Sequence, residues 1–479
     1  MSVAFPNLID GRAVDSTERI ADINPSNLSD VVGELAVATR DDVAAATAAA
    51  RAAFAAWSET NPQQRFDILD RAGGEILARK EELGRLLSRE NGKPLAHGIG
   101  EAARAGAVVK YFAGEAVRIA GERFDSVRPG IEVEITREPL GVVGLITPWN
   151  FPLAIPAWKI APALAFGNCV VFKPSEITPA STWTLTDIFQ RAGLPAGVLN
   201  LVQGTGASVG AALASSPAID AISFTGSQAV GRTVVRAAVE TGARVQLEMG
   251  GKNPLVVLDD ADLDTAVRVA VDGAFFQTGQ RCTSSSRIIV TRGIHDRFVD
   301  AMADRVKRLV VDDALKPGTE IGPVVSAQQL EKNLKYLDIG RREGARLVTG
   351  GERLTRGTEG YYMAPAMFTE TTPEMTINRD EIFGPIAAVI QASGYEEALA
   401  IANGTAYGLS AGIVTTSLKH ASHFKRHAQS GLVMVNLPTA GLDYHVPFGG
   451  RKSSSYGPRE QGSYAKEFYT IVKTAYIAP

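Results

Sequence analysis

The chain of 479 residues sets 49 Lys and Arg against 52 Asp and Glu, a net charge of −3, and is 45% hydrophobic, 21% charged and 7% aromatic. That balance excludes an intrinsically disordered chain and leaves no basic footprint for nucleic acid or an anionic membrane surface, so a small molecule is the expected partner. The length suits about three domains of ~150 residues, or two large ones, and excludes a single small binding module.

The opening MSVAFPNLIDGR has neither the basic nor the apolar region of a signal peptide, and no run of about 18 uncharged apolar residues occurs. Cys169 and Cys282, the 2 cysteines, cannot build a disulfide framework and lack C-x-x-C or zinc spacing. A cytoplasmic protein without a metal is expected. Residues 40–119 place Ala, Val and Leu among charges at helical spacing, as in DDVAAATAAARAAFAAW and RFDILDRAGGEILARKEELGRLLSREN, with Asn91-Gly92 as a stop. Arg51, Phe54 and Trp57, at i, i+3 and i+6, suggest the packed face of the first helix. Residues 119–138 and the tail FYTIVKTAYIA alternate β-type residues and read as strands outside the main sheets.

From Gly141 the pattern changes to short apolar runs, GVVGLI, NCVVF, VLNLV, AISF and ARVQLEM, with helix-like stretches near 156–166, 179–191, 207–214 and 227–240. Repeated β-α-β units of this kind predict a doubly wound parallel sheet. A second α/β set runs from PLVVL through RIIV, IFGPIAAVI, LSAGIVT and GLVMVN. Ligands of such folds bind beyond the carboxyl ends of the strands. There the first set carries TPWNFP (147–152), KPSE (173–176), GTGASVG (204–210), TGSQAVG (225–231) and EMGGKNP (248–254). The G-x-G-x-x-x-G of 204–210 alone serves an ordinary tight turn more readily than a nucleotide; the set together points to a nucleotide.

Cys282 lies in QTGQRCTSSS, a polar turn between a helical run and a strand, where a structural cysteine gains little burial; Cys169, inside NCVVF, reads as core. By residue type alone Cys282 is either a nucleophile or incidental. Glu248 is either a base or a surface carboxylate, and Asn150 either a donor or the shaper of its turn. His420, His423 and His427 share a face of a basic helix and read as solvated rather than metal-ligating. The serine runs 284–286 and 453–455 read as loop and strand-entry residues.

TPWNFPL, KPSE, FTGS, LEMGG, GQRC, EIFGP and PFGGRKSS, in this order across essentially the whole chain, resemble the NAD(P)-dependent aldehyde dehydrogenase superfamily. The resemblance implies an α/β fold. A Rossmann-type parallel-sheet domain covers 1–118 and 139–248, a second α/β catalytic domain 249–444, and a small β oligomerisation element 119–138 and 460–479. It implies Cys282 as nucleophile, Glu248 as the base that activates water, Asn150 as oxyanion donor with the Cys282 amide, and Lys159 near the same site. For the cofactor it implies Lys173, Ser175 and Glu176 at the adenosine ribose, and Trp149 and Ser227 at the pyrophosphate beside the glycine turns of Gly206, Gly210, Gly226 and Gly250. Glu381 and Phe383 then hold the nicotinamide end. A carboxylate at Glu176 favours NAD over NADP, which Lys173 leaves open.

The aldehyde tunnel is then lined by Phe151, Trp158, Phe276, Leu442 and Phe448, an uncharged wall suited to aromatic or medium-chain apolar aldehydes. LEMGGKNP, TGQRCTSSSRIIV and SSSYGPREQG instead look most like bacterial 2-oxoglutarate semialdehyde (2,5-dioxopentanoate) dehydrogenases. Arg281 and His445 at the mouth are the expected partners of that substrate's carboxylate. A catalytically silent member of the fold and a CoA-acylating enzyme are the other readings, and the presence of Glu248 favours water as acceptor. Unpaired strand edges at 124–136 and 468–477 imply a homodimer or a dimer of dimers.

Overall fold

The computed structural model describes residues 3–478. The helical stretch forms α1 (Arg40–Ser58), α2 (Pro62–Ala78), α3 (Lys80–Asn91) and α4 (Leu95–Ala116). Thr39 begins α1 with a capping box: its hydroxyl accepts from the Asp42 amide, and the Asp42 carboxylate accepts from the Thr39 amide at 2.7 Å. The buried stripe of α1 is Val43, Ala46, Ala50 and Trp57. Phe54 is half-buried, and Arg51 stands outside the core, donating to Asp220 at 2.7 Å. Of the expected Arg51-Phe54-Trp57 face, Trp57 is core and Phe54 packs against it, while Arg51 falls outside, because steps of three residues precess by about 60° around a helix of 3.6 residues per turn. Gly92 ends α3 at φ +83°, the left-handed conformation that the stop at Asn91-Gly92 requires.

The first sheet has 8 strands. Its order is Ser455–Tyr456, Arg244–Met249, Ala221–Gly226, Val142–Ile146, Cys169–Lys173, Leu199–Leu201, Asn7–Ile9 and Arg12–Val14. The five apolar runs pair in parallel, with Val142 opposite Cys169 and Val143 opposite Ala221. Chain order reverses at Val142–Ile146, so the crevice of a doubly wound sheet opens beyond Ile146 and Gly226. The crossovers α5 (Ala154–Ala165), α6 (Pro179–Arg191) and α8 (Gln228–Thr241) fall where expected; the connection from Leu199–Leu201 to Ala221–Gly226 holds a single π-helical turn, Gly206–Gly210, leading into α7 (Ala211–Ala214).

The second sheet has 7 strands, in the order Arg346–Thr349, Ala366–Thr371, Ile386–Ala392, Ser285–Thr291, Asn253–Val257, Ser410–Val414 and Leu432–Val435. Only Arg346–Thr349 runs antiparallel. The chain passes from Met249, a carboxyl end of the first sheet, to Asn253, an amino end of the second, in three residues. The site between the sheets follows from this short passage.

Glu122–Asp125, Glu132–Pro139 and Thr470–Ile477 form a separate antiparallel sheet. The segment 460–479 divides: Ala465, Phe468 and Tyr469 pack into the core of the first sheet and its helices, and only the final strand joins Glu132–Pro139. Residues after 444 also return to the first sheet, where Ser455 lies opposite Glu248. No helix of the described residues is long and apolar enough to cross a membrane.

Candidate active site

Two cavities meet at Cys282. One, of about 380 Å³, runs outward between Phe151, Trp158, Phe276, Leu442 and Phe448. The other, of about 230 Å³, lies toward the crevice of the first sheet and is lined by Trp149, Asn150, Gly226, Ser227, Glu248, Gly250, Glu381 and Phe383. A thiol at this junction is open to both cavities, so that groups held in each can meet at its sulfur.

Cys282 sits in a turn ahead of Ser285–Thr291. Just before it, Gln277 and Thr278 take positive φ of 54° and 59°, a strained, left-handed pair that a non-glycine chain holds only under constraint. The Cys282 carbonyl accepts from the Asn253 amide at 2.7 Å, tying the turn to the second sheet. Burial and the charges of Glu381 and Glu248 push the thiol up to about 12, against a smaller pull from Arg281. The resting group is a thiol. Cys169 is fully buried, its thiol likewise pushed up to about 12 by burial.

Glu248 is 2% exposed; one oxygen accepts from the Ser455 hydroxyl at 2.5 Å and the other has no partner among the described residues. Burial, followed by the nearby Glu460 charge, holds its carboxyl well above the usual range. Asn150 donates from Nδ2 to the Gln280 carbonyl at 3.1 Å, in the same turn as Cys282. Lys159 is not in either cavity. Its ammonium is fully buried behind Glu248, bonded to Glu460 and, at 2.7 Å, to the Ser223 hydroxyl. Ser455 and Glu460 were missed in the sequence because their only signal is spatial: both reach Glu248 or Lys159 from the returning tail.

In the crevice Ser227 lines the cavity and caps α8, its hydroxyl accepting from the Val230 amide at 3.4 Å. Gly226 and Gly250 line it, and a Cβ at Gly250 would overlap the Glu381 carboxylate. Glu381 accepts from the Gly251 amide at 2.9 Å, and Phe383, at φ +63°, sets its ring 5.3 Å from Trp149. Lys173 pairs with Glu176 at 3.1 Å, and the Ser175 hydroxyl accepts from the Ile177 amide. A Cβ on Gly206 or Gly210 would meet nothing within 4 Å, so neither glycine is there for packing. These four positions and Ser175 do not line the cavity at Cys282.

The tunnel differs from its expected lining. His445 is exposed, its ring 5.6 Å from Tyr444, and does not line the cavity. Arg281 does, but it is buried rather than at the mouth, donating to the carbonyls of Asp272 at 2.6 Å and Gly273 at 2.9 Å. The wall is also not uncharged, because α4 presents His97, Gly100, Glu101 and Arg104 to it, one face at i, i+3, i+4 and i+7. Arg104 bonds the Leu442 carbonyl and, at 3.1 Å, the Gln461 amide oxygen, and lies 6.0 Å from the Trp158 ring. Burial and the nearby charges of Lys93 and Arg281 hold the His97 imidazole down at about 4. On the distant helix Leu418–His427, the Tyr395 hydroxyl engages His423 at 2.7 Å.

The aldehyde dehydrogenase family model matches residues 13–475. The chain is 44% identical over 479 residues to the alpha-ketoglutaric semialdehyde dehydrogenase of Bacillus subtilis, across 99% of this chain and 98% of that protein. It is 43% identical over 478 residues to the alpha-ketoglutarate semialdehyde dehydrogenase of Haloferax volcanii, across 98% of each. The crystal structure of betaine aldehyde dehydrogenase from Staphylococcus aureus in complex with NAD+ matches with a TM-score of 0.97 at 35% identity, over 99% of this chain and 95% of that one.

Proposed function

We propose that this chain, which belongs to the aldehyde dehydrogenase family, oxidises 2-oxoglutarate semialdehyde to the dicarboxylate, with Cys282 as nucleophile, Glu248 as base and Asn150 as oxyanion donor. The observation that carries the substrate is the pair of guanidinium groups in the tunnel. Arg104 and Arg281 bond only neutral oxygens and make no ion pair among the described residues. The other charges there cancel, since Glu101 pairs with Lys93. Two cations left with carbonyl partners favour an anionic substrate tail, and charge-assisted, two-pronged bonds from arginine suit a carboxylate.

The chemistry follows from the junction. The Cys282 sulfur adds to the aldehyde carbon, and the developing oxyanion is met by the Asn150 side-chain amide and the Cys282 N–H. NAD+, when bound in the crevice, supplies the hydride acceptor. Ser227 and the first turn of α8 suit its pyrophosphate, Glu381 and Phe383 its nicotinamide end, and Lys173, Ser175 and Glu176 its ribose; the Glu176 carboxylate would repel a 2′-phosphate. Once hydride has left the thiohemiacetal carbon and the thioester has formed, Glu248 takes a proton from water as the water oxygen adds to the acyl carbon, and the C–S bond breaks to release the acid and the Cys282 thiolate.

Arg104→Ala tests the substrate. Loss of one charge-assisted partner is expected to lower kcat/KM for 2,5-dioxopentanoate by about 10- to 100-fold, with little change for benzaldehyde. The aromatic wall, with Trp158 and Phe448 at 5.5 Å, favours aromatic aldehydes as the second reading. A wild-type enzyme that prefers benzaldehyde tenfold, and an Arg104→Ala variant that loses both substrates equally, would establish it instead.

The separate sheet exposes Phe124, Ile471, Val472, Tyr476 and Ile477. Apolar side chains on both faces of a sheet, Phe124, Val472 and Tyr476 on one and Ile471 and Ile477 on the other, need cover, and a second copy of this chain supplies it in a homodimer or dimer of dimers. Light scattering of the wild type should give a multiple of the chain mass, and Val472→Asp should shift it toward the monomer. A wild type that is monomeric at assay concentration would contradict the assembly.

A further inference from the structure

We infer that Asn91, Lys93 and Glu101 form a buried clamp that positions Asn150 for oxyanion stabilisation; this rests on the reading of Asn150 as the oxyanion donor. The segment Trp149–Ala154 is held from one side by the end of α3 and the start of α4. Asn91 donates to the Trp149 carbonyl at 2.9 Å, and Lys93 to the Asn150 carbonyl at 2.8 Å. Glu101 accepts from the Leu153 amide at 2.9 Å and the Ala154 amide at 3.1 Å. The clamp is closed on itself by the Lys93 to Glu101 ion pair at 2.5 Å, and the Lys93 ammonium also lies 4.2 Å from the Phe151 ring centroid. Both carbonyls before the turn and both amides after it are thus engaged.

All three clamp residues are at most 4% exposed. An ion pair that dry is a poor device for stability alone, since an apolar pair of the same volume serves a core at least as well. What it does supply is fixed geometry for full charges with every partner named, and the part it fixes is the backbone that carries Asn150. The Asn150 side chain then has little freedom beyond its own torsions. Its Nδ2 sits on the Gln280 carbonyl beside Cys282, and a small rotation redirects it to a substrate oxygen. Oxyanion donors act through placement, and a displacement of about 1 Å at such a site costs on the order of 10²-fold in rate. The clamp residues touch neither substrate nor cofactor atoms in this scheme, except for the tunnel-facing edge of Glu101, so they act through Asn150.

A double-mutant cycle reads this directly. Lys93→Met, Asn91→Ala and Asn150→Ala are made singly, and the first two are each combined with the third. The rate of the first NADH release on mixing with 2,5-dioxopentanoate and NAD is measured with the NAD dissociation constant and the melting temperature. Lys93→Met is expected to slow that first turnover by about 10²-fold, and Asn91→Ala by about tenfold, with NAD affinity unchanged. In the Asn150→Ala background each should cost less than about threefold, because the donor they position is gone. Asn91→Ala leaves no unpaired charge and keeps the test available if Lys93→Met does not fold. Undiminished losses in the Asn150→Ala background, or a lowered melting temperature with an unchanged first turnover, overturn the clamp while leaving Asn150 as donor. An Asn150→Ala enzyme as fast as wild type overturns both.

Discussion

Cys282→Ala is expected to reduce aldehyde oxidation by about 10⁴-fold or more, the scale on which loss of a covalent nucleophile acts in comparable sites. Of the residues that line both the tunnel and the crevice, Ile155, Trp158, Cys282 and Phe448, Cys282 alone carries a nucleophile, and a neutral aldehyde cannot release hydride until a nucleophile has made it tetrahedral. NAD affinity, measured by calorimetry, should survive, because the turns at Ser227, Glu381 and Trp149 do not depend on the sulfur. Retained turnover would make Cys282 incidental. Cys169 offers no substitute, being fully buried within the strand Cys169–Lys173.

Glu248→Gln is expected to separate the two halves of the reaction. Mixed with aldehyde and NAD, the variant should release about one equivalent of NADH per site and then turn over on the order of 10²- to 10³-fold more slowly, since general-base assistance to water is what it lacks. The pH dependence carries the sign. Burial and Glu460 hold the Glu248 carboxyl well above the usual carboxylate range, so it is protonated at acidic pH and becomes a base only as pH rises. Wild-type hydrolysis should therefore still be climbing with pH above the range in which an ordinary carboxylate has already ionised, and this limb should be absent in the variant. With the Cys282 thiol near 12, acylation too needs a proton acceptor. A variant with no burst would make thiol deprotonation the main task of Glu248.

The sites of failure in the sequence reading share one cause. Arg104 and His97 lie on a helix whose polar stripe at i, i+4 and i+7 is present in the sequence, but such a stripe normally faces water. Only the packing of α4 against α5 and the turn before it converts that face into a tunnel wall. His445 shows the converse, a residue near Phe448 in sequence that the chain leaves outside. Lys159 and Glu460 illustrate the same limit inside the core, since no local spacing announces that a helical lysine will find its carboxylate on the returning tail.

The sequence by itself determined the alternation of buried strands with crossover helices, the polar turns at the strand ends, and the placing of Cys282 in a polar turn before Ser285–Thr291. Those features rest on short-range physics: side-chain periodicity, backbone limits at glycine and proline, and the poor return on burying a cysteine in a polar turn. Tertiary structure alone decided which charges remain uncompensated around Cys282. A charge is cancelled or left free by partners brought in from remote segments, as Lys93 cancels Glu101 and fixes Asn150 while Arg104 and Arg281 keep only carbonyls. Those pairings exist only once the helices and both sheets have packed, because Coulomb energy depends on distance and burial, neither of which the order of residues states.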